Sequence, residues 1–339
     1  MKKHLREIVT RFPGTEVAVM ADLVLDEFLS GEIVRVSREA PVLIIDYRGT
    51  ERMPGGGANA VNNLRALGGA PLPVGVVGDD EAGGRLVALL REAGIDTGGI
   101  ARVAGYATPT KTRVLAGLPH SRQQQVIRID RGAAGSAPAA DAGVAAERAI
   151  ALLSGAKGLL LSDYGYGLVT PATSRPVIEE ARRRGLVITC DSRHRLKEYR
   201  GVSAVTPNLE EAEELLGMRL GTESASLEPA ARRLLEKLSC TAVLITRGRR
   251  GMTILEDGVK PFDIPVFGSD QVSDVTGAGD TVIAAFTLAL AAGATYRQAA
   301  TLANCAAGLV VMKKGTATVS AEELLDALER IPDPSESGR

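Results

Sequence analysis

Short apolar runs alternate with amphipathic stretches along most of the chain. "VAVMA" (17–21), "LPVGVVG" (72–78), "KGLLLSD" (157–163), "GLVITCD" (185–191) and "CTAVLITRG" (240–248) run without polar interruption and stop at polar or glycine residues. Runs of this kind are strands buried on both faces. Between them, residues 58–69, 81–94, 171–184, 208–216 and 227–238 space their apolar positions as helices do, and two of these stretches close on glycine. Strands separated by helices predict a mainly parallel sheet covered on both faces, an α/β fold.

Two regions depart from this pattern. Residues 24–52 ("GEIVRVSREAPVLIIDYRG" within them) and 100–130 ("TPTKTRVLAGLPHSRQQQVIRID") alternate polar and β-branched positions. They predict half-exposed antiparallel strands. One small sheet built from both regions would form a lid beside the main domain, although plain surface hairpins would carry the same pattern. "GAAGSAPAADAG" (132–143) reads as a small-residue connector, and "IPDPSESGR" (331–339) as a flexible tail. The expectation is a single domain over residues 1–330.

Composition removes several functions. The 339 residues carry a formal net charge of −1 and no Trp, which argues against a nucleic-acid or membrane surface. The longest apolar stretches fall short of the ~20 residues that span a bilayer. "MKKHLREIVTRFPG" lacks the apolar core of a signal peptide. Cys190, Cys240 and Cys305 show no CxxC spacing and sit in apolar segments, which suits buried thiols in a reducing cytoplasm. His4, His120 and His194 form no zinc-binding pair.

Ligands of parallel sheets gather at the C-terminal ends of the strands and at nearby helix starts. "DVTGAGDTVIAAF" (274–286) places Gly277, Ala278 and Gly279 just before Asp280 and a long apolar helix. Free N–H groups in a first helical turn, with small side chains around them, suit a phosphoryl group in transit. Asp280 could take the proton of an attacking hydroxyl. The helix end is expected to keep it ionised and therefore weakly basic. A capped helix after a glycine turn would share these residues.

"DVTGAGD" followed by "TVIAAF" resembles the second signature of the PfkB/ribokinase family of sugar kinases, and "PGGGANAVNN" (54–63) resembles its first. The likeness extends to "VMADLVLDEF" (19–28), "TPNLEEAEELLG" (206–217) and "TRGRRG" (246–251), in the family's order. It implies a ribokinase-like three-layer α/β/α fold with a β-sheet lid, ATP with Mg²⁺ as cofactors, and Asp280 as catalytic base beside the Gly277-Ala278-Gly279 nest. Asp26 falls at the family's sugar-binding aspartate. Gly55, Gly56 and Gly57 would let a polyol approach the main chain. Asn59 and Asn63, four apart on one helix face, could bind vicinal hydroxyls, or Asn59 could cap its helix. Asn208, Leu209, Glu210 and Glu211 form the N-x-x-E segment of the nucleotide site. Glu211 could hold Mg²⁺ through water or close a capping box. Thr246, Gly248 and Gly251 would contact phosphates, and Asn304 either flanks adenine or is a buried structural amide. In some members Asp274 and Thr276 help bind a monovalent cation.

Within the family, "SREAPVLI" (37–44), "TPTKTRVLAG" (108–117), "QQQVIRID" (123–130), "LSDYGYG" (161–167) and "ANCAAGLVVMKKGTATVS" (303–320) are similar to the heptose 7-phosphate kinases. That branch phosphorylates the anomeric hydroxyl of D-glycero-D-manno-heptose 7-phosphate on the route to nucleotide-activated heptose for lipopolysaccharide. Lys111 and Arg113 lie two apart and so on one side of a strand, where with Arg128 they could clamp a sugar phosphate. Arg35, Arg193 and Asp163 are secondary candidates. Two positions depart from the branch: Tyr166 stands where "DYGKG" has lysine, and Ala21 precedes Asp22 where glycine is usual. Another phosphosugar, a ketohexose or a nucleoside is the alternative substrate. The branch also occurs fused to an adenylyltransferase, but no HxGH motif is present, so only the kinase activity is expected. The exposed "VLII" edge predicts a homodimer through the lids.

Overall fold

The computed structural model describes residues 2–118, 123–132, 137–220, 224–268, 274–313 and 315–330. The expected tail (331–339) and His120 lie outside them. Helix α1 (Lys2–Val9) leads into strand β1 (Glu16–Ala21), then β2 (Leu23–Val36), β3 (Leu43–Gly56), α2 (Gly57–Ala66), β4 (Ala70–Gly78) and α3 (Glu81–Glu92). Next come β5 (Ile100–Val103), β6 (Thr110–Gly117), β7 (Gln124–Arg131), α4 (Ala139–Leu152), β8 (Gly158–Asp163), α5 (Pro171–Arg183), β9 (Val187–Ser192) and β10 (Ala204–Val205). The chain closes with α6 (Leu209–Leu216), α7 (Ser224–Leu238), β11 (Ala242–Thr246), β12 (Met252–Glu256), β13 (Phe262–Ile264), α8 (Ala278–Ala291), α9 (Tyr296–Val310) and α10 (Ala321–Glu329).

Nine strands form one sheet in the order β13-β12-β11-β10-β9-β8-β1-β4-β5. From β11 through β5 every neighbour is parallel, and the β11-β12-β13 edge is antiparallel. Strand β1 shows why the central runs are wholly apolar. Val17, Val19 and Ala21 enter one core with Leu64, Phe286 and Leu302, while Ala18 and Met20 enter the other with Leu153, Ile178 and Leu234. Alternate side chains point to opposite faces, and helices cover both. Helix α8 packs against α2, α9, β8 and β9. Its residues from Asp280 to Leu290 are all buried, which accounts for its nearly all-apolar sequence.

The second sheet has the order β3-β2-β6-β7, so the two irregular regions do meet in one lid. Two expectations are corrected. Residues 100–103 are not lid: they form β5, paired with β4 at the edge of the main sheet. The two halves of the lid join through β2 and β6 in parallel rather than antiparallel. Each of these strands follows a strand of the parallel sheet, β1 and β5, so both leave it in the same direction. Part of the expected connector is also helix, since α4 begins at Ala139 and buries Ala142, Ala145, Ala146 and Ala149. An alanine-rich stretch is a strong helix former.

Candidate active site

Helix α8 starts at Gly277, whose left-handed φ of 77° disfavours any side chain. A Cβ at Gly277 would lie 2.5 Å from Asn59 Nδ2, whereas one at Gly279 would meet nothing beyond its own helical turn within 4 Å among the described residues. The two glycines therefore serve different needs, close packing at Gly277 and open space at Gly279. The amide of Ala278 donates to Val275 O and that of Thr281 to Gly277 O. The amides of Gly279 and Asp280 have no acceptor among the described residues. They are the free donors of a first helical turn.

The Asp280 carboxyl is buried and held at both oxygens. Tyr164 donates its hydroxyl to Oδ1 (2.5 Å), and Asn59 Nδ2 donates to Oδ2 (2.9 Å). Burial pushes the Asp280 pKa up to about 6, with Asp26 adding to the rise and the Tyr164 and Asn59 hydrogen bonds opposing it. The expectation of a weakly basic carboxylate is thus corrected, because desolvation outweighs the helix end. A carboxyl with that pKa can take up a proton near neutral pH, the property a general base needs.

Two cavities meet at this helix start. A polar one of about 590 Å³ is lined by Asp26, Lys111, Arg113, Asp191, Arg193 and Asp280, among others. An apolar one of about 350 Å³ is lined by Gly248, Gly251, Val266, Asn304, Ala307 and Val311, among others. Gly279, Thr246, Val275 and Val282 border both.

The lid contributes Asp26 from β2 and Lys111 and Arg113 from β6 to the polar cavity, with Arg128 from β7. Arg113 is already paired with Asp26 at 2.8 Å, both nearly buried. Arg128 is paired with Asp130 at 2.9 Å. Lys111 instead lies 5.1 Å from the centroid of the Tyr164 ring, and burial, with Arg193 nearby, lowers its pKa. Arg193 covers the same ring at 4.6 Å. Arg35 is exposed and does not line the polar cavity. Asp163 is a structural hub: it accepts from Arg195, Ser192 and Tyr199 and does not border the cavity.

Several sugar-site expectations change. Asn63 is fully buried, donates to Asn59 O (3.0 Å) and accepts from Thr281 (3.0 Å), so it braces Asn59 instead of lining the cavity. Asn59 in turn holds Asp280. Gly55 makes room for the Asp26 carboxyl, since a Cβ there would lie 2.5 Å from its Cγ. Gly57 fits against Ala21 at a like 2.5 Å, and Gly56, at φ 52°, borders the polar cavity.

On the nucleotide side, Asn208 and Glu211 form a reciprocal capping box and both line the polar cavity. Leu209 packs on the core and Glu210 faces solvent, so neither belongs to the site, as helical geometry requires. Gly251, at φ 75°, also answers to packing: a Cβ would lie 2.0 Å from Ile264 O. Asn304 donates to Pro265 O (2.9 Å) and borders the apolar cavity, so both expected roles are compatible with its place. Asp274 accepts from Thr276 N (2.9 Å) and Gly315 N (3.1 Å), tying the loop before α8 to the chain after α9.

Sequence reasoning passed over three residues. Buried Asp22 accepts from the backbone of Tyr164, Tyr166, Leu168 and Val169, fixing the turn after β8, and its pKa is pushed up to about 6 by burial. Asp191 lines the polar cavity with its pKa pushed up to about 8 by burial, then by Glu211 and Asp280. Tyr164 touches the Asp280 carboxyl itself. Asp191 and Tyr164 stand at the C-terminal ends of apolar runs, the same signal that singled out their neighbours.

Comparison with known proteins agrees with this geometry. A family model described as pfkB family carbohydrate kinase matches residues 24–324. The bifunctional protein HldE of Azotobacter vinelandii is 42% identical over 322 residues, covering 94% of this chain and 65% of that protein. The Pseudomonas aeruginosa HldE is 40% identical over 321 residues with the same coverage. The chain therefore spans 65% of the length of these curated relatives. Among solved structures, Arabidopsis thaliana ribokinase complexed with ribose and ATP superposes with a TM-score of 0.72 at 21% identity, covering 93% of this chain and 99% of that one. Escherichia coli phosphofructokinase-2 in complex with potassium gives 0.74 at 20% identity, covering 94% and 100%. The latter two share the fold. With its glycine-lined helix start, its buried aspartate and its strand-built lid, the chain belongs to the pfkB family of carbohydrate kinases.

Proposed function

We propose that the protein transfers the γ-phosphoryl group of ATP to the anomeric hydroxyl of D-glycero-D-manno-heptose 7-phosphate. The observation that carries this reading is the meeting of a polar and an apolar cavity at Gly279, beside Asp280. The purine occupies the apolar cavity, by Asn304 and Ala307. The sugar phosphate occupies the polar one, under the lid. The phosphoryl group crosses at the free amides of α8, where charge spread over its oxygens meets fixed donors. Asp280 takes the proton of the attacking hydroxyl.

The identity to HldE proteins over most of the chain supports a heptose substrate. The lid cations favour a phosphorylated sugar. Because Arg113 and Arg128 each already have a carboxylate partner, Lys111 and Arg193 carry most of the charge offered to that phosphate. Tyr166, in place of the branch's lysine, keeps a different phosphosugar as the second reading.

A divalent cation fits here only with help. Among the described residues no three carboxylate, histidine or cysteine side chains converge to hold a metal by themselves. Burial raises the pKa of both Glu211 and Asp191, and the Glu211 charge adds to the rise at Asp191, so the pair would welcome a Mg²⁺ carried mainly by phosphates and water. When bound, Mg²⁺ supplies charge neutralisation to the triphosphate. The Asp274 and Thr276 loop is the place for a monovalent cation. Residues 1–330 act as one catalytic unit, in the cytoplasm and as a homodimer, within a route to lipopolysaccharide heptose. Among the described residues no helix is long and apolar enough to cross a membrane.

ADP release should be measured with heptose 7-phosphate, fructose 6-phosphate, ribose and a nucleoside as acceptors. Heptose-dependent turnover above all others is expected. Turnover with another acceptor alone would replace the sugar but leave the kinase.

A further inference from the structure

The "DYGYG" turn after β8 puts an aromatic hydroxyl on the reacting carboxylate. Its backbone is fixed: the amides of Tyr164 and Tyr166 donate to the same Asp22 oxygen at 3.0 and 2.9 Å. The Tyr164 ring is flanked by Lys111 at 5.1 Å and Arg193 at 4.6 Å. We propose that Tyr164 is a positioning residue for phosphoryl transfer: its O–H locks one oxygen of Asp280, with Asn59 on the other, and sets how readily that carboxylate accepts the substrate's proton. This rests on Asp280 being the base of the proposed reaction.

The chemistry balances without a change at Tyr164. The sugar hydroxyl loses its proton to Asp280, its oxygen bonds to the γ-phosphorus, and the P–O bond to the β-phosphate breaks to release ADP. The phenol remains protonated throughout, because burial and the Asp280 charge push its pKa well above the ordinary value. As a donor to the ionised carboxylate it opposes the rise that burial causes in Asp280. The groups facing Asp280 are Tyr164 after β8, Asn59 on α2, Asp26 on β2, and Asp191 and Arg193 at the end of β9. Lys111 on β6 faces the tyrosine ring. Phenylalanine keeps the ring that Lys111 and Arg193 both approach and removes only the hydroxyl, with its contacts to Asp280 and Arg193.

The test is the pH profile of kcat/KM for the sugar in the wild type, Tyr164→Phe and Asp280→Asn. The wild-type acid limb is expected near pH 6. Losing one hydrogen bond to a carboxylate should move the limb of Tyr164→Phe up by about one unit. Activity would then fall about fivefold at pH 6 and by less than about twofold at pH 8, with KM for ATP unchanged. A limb that stays in place, or a loss equal at every pH, overturns the proposal. Asp280→Asn separates the two claims: a loss of ~100-fold or more upholds the base, and near-normal turnover overturns both. Should Tyr164→Phe fail to fold, 3-fluorotyrosine placed at 164 makes the phenol a stronger donor. The acid limb must then move to lower pH, and no movement or the reverse refutes the assignment.

Discussion

Replacing Gly279 by alanine separates chemistry from folding at the start of α8. Among the described residues, a Cβ at that position meets nothing beyond its own helical turn within 4 Å, and its φ is not left-handed. Alanine in a helix is favoured over glycine by up to about 1 kcal/mol, so Tm should hold or rise. The new methyl instead enters the space shared by the two cavities, against the amides that would hold the phosphoryl group. Loss of one such donor typically lowers kcat by about 10²–10³. Gly277→Ala is the contrasting variant. It forces alanine into a left-handed backbone at a cost of about 1–2 kcal/mol. It also sets a methyl 2.5 Å from the Asn59 nitrogen that holds Asp280. Single-turnover transfer from γ-labelled ATP, with Tm measured in parallel, distinguishes the pair. Gly279→Ala should be stable and slow, Gly277→Ala both unstable and slow. A stable Gly279→Ala enzyme with full activity would refute the nest.

Two further outcomes follow from the site and the lid. The folded pKa of Asp280, about 6, exceeds the ordinary 3.8, so the folded state binds this proton more tightly than the unfolded chain does. Its contribution is most favourable below the ordinary value and is lost as pH rises through about 6, a cost of about 3 kcal/mol by pH 8. Asp280→Asn should therefore melt several degrees higher than wild type at pH 8 and nearly level with it at pH 4; a lower Tm at pH 8 would show that burial of the charge is not costly. On the lid, Val34, Val36, Tyr47 and Ile127 are each more than half exposed at 61, 57, 58 and 55%. Light scattering should find a dimer that Ile127→Glu with Val34→Glu converts to monomer, and a monomeric wild type would contradict the lid interface.

The parallel sheet was legible because a strand buried on both faces has to be apolar throughout, as β1 is. β10 was not, since two residues carry no period. The lid's alternation was visible, but its parallel β2–β6 seam depends on how two distant excursions leave the main sheet. Asn59 and Asn63 were correctly placed on one helix face, yet their partners, Asp280 and Thr281, come from α8, more than 200 positions away. Likewise the motif located Asp280 at a helix start, while the burial that raises its pKa arises from α2, the lid and the turn after β8 packing around it. Tyr164 and Asp191 sat at strand ends where chemistry was expected; only contact distances separate them from Asp163, which serves structure.

The central claim is most directly tested by a crystal structure holding a non-hydrolysable ATP analogue and heptose 7-phosphate together. The account predicts the terminal phosphate at hydrogen-bonding distance, about 3 Å, from the Gly279 amide, with the anomeric hydroxyl equally near Asp280. A triphosphate that runs away from α8, or a sugar bound with its anomeric carbon remote from Asp280, would contradict it.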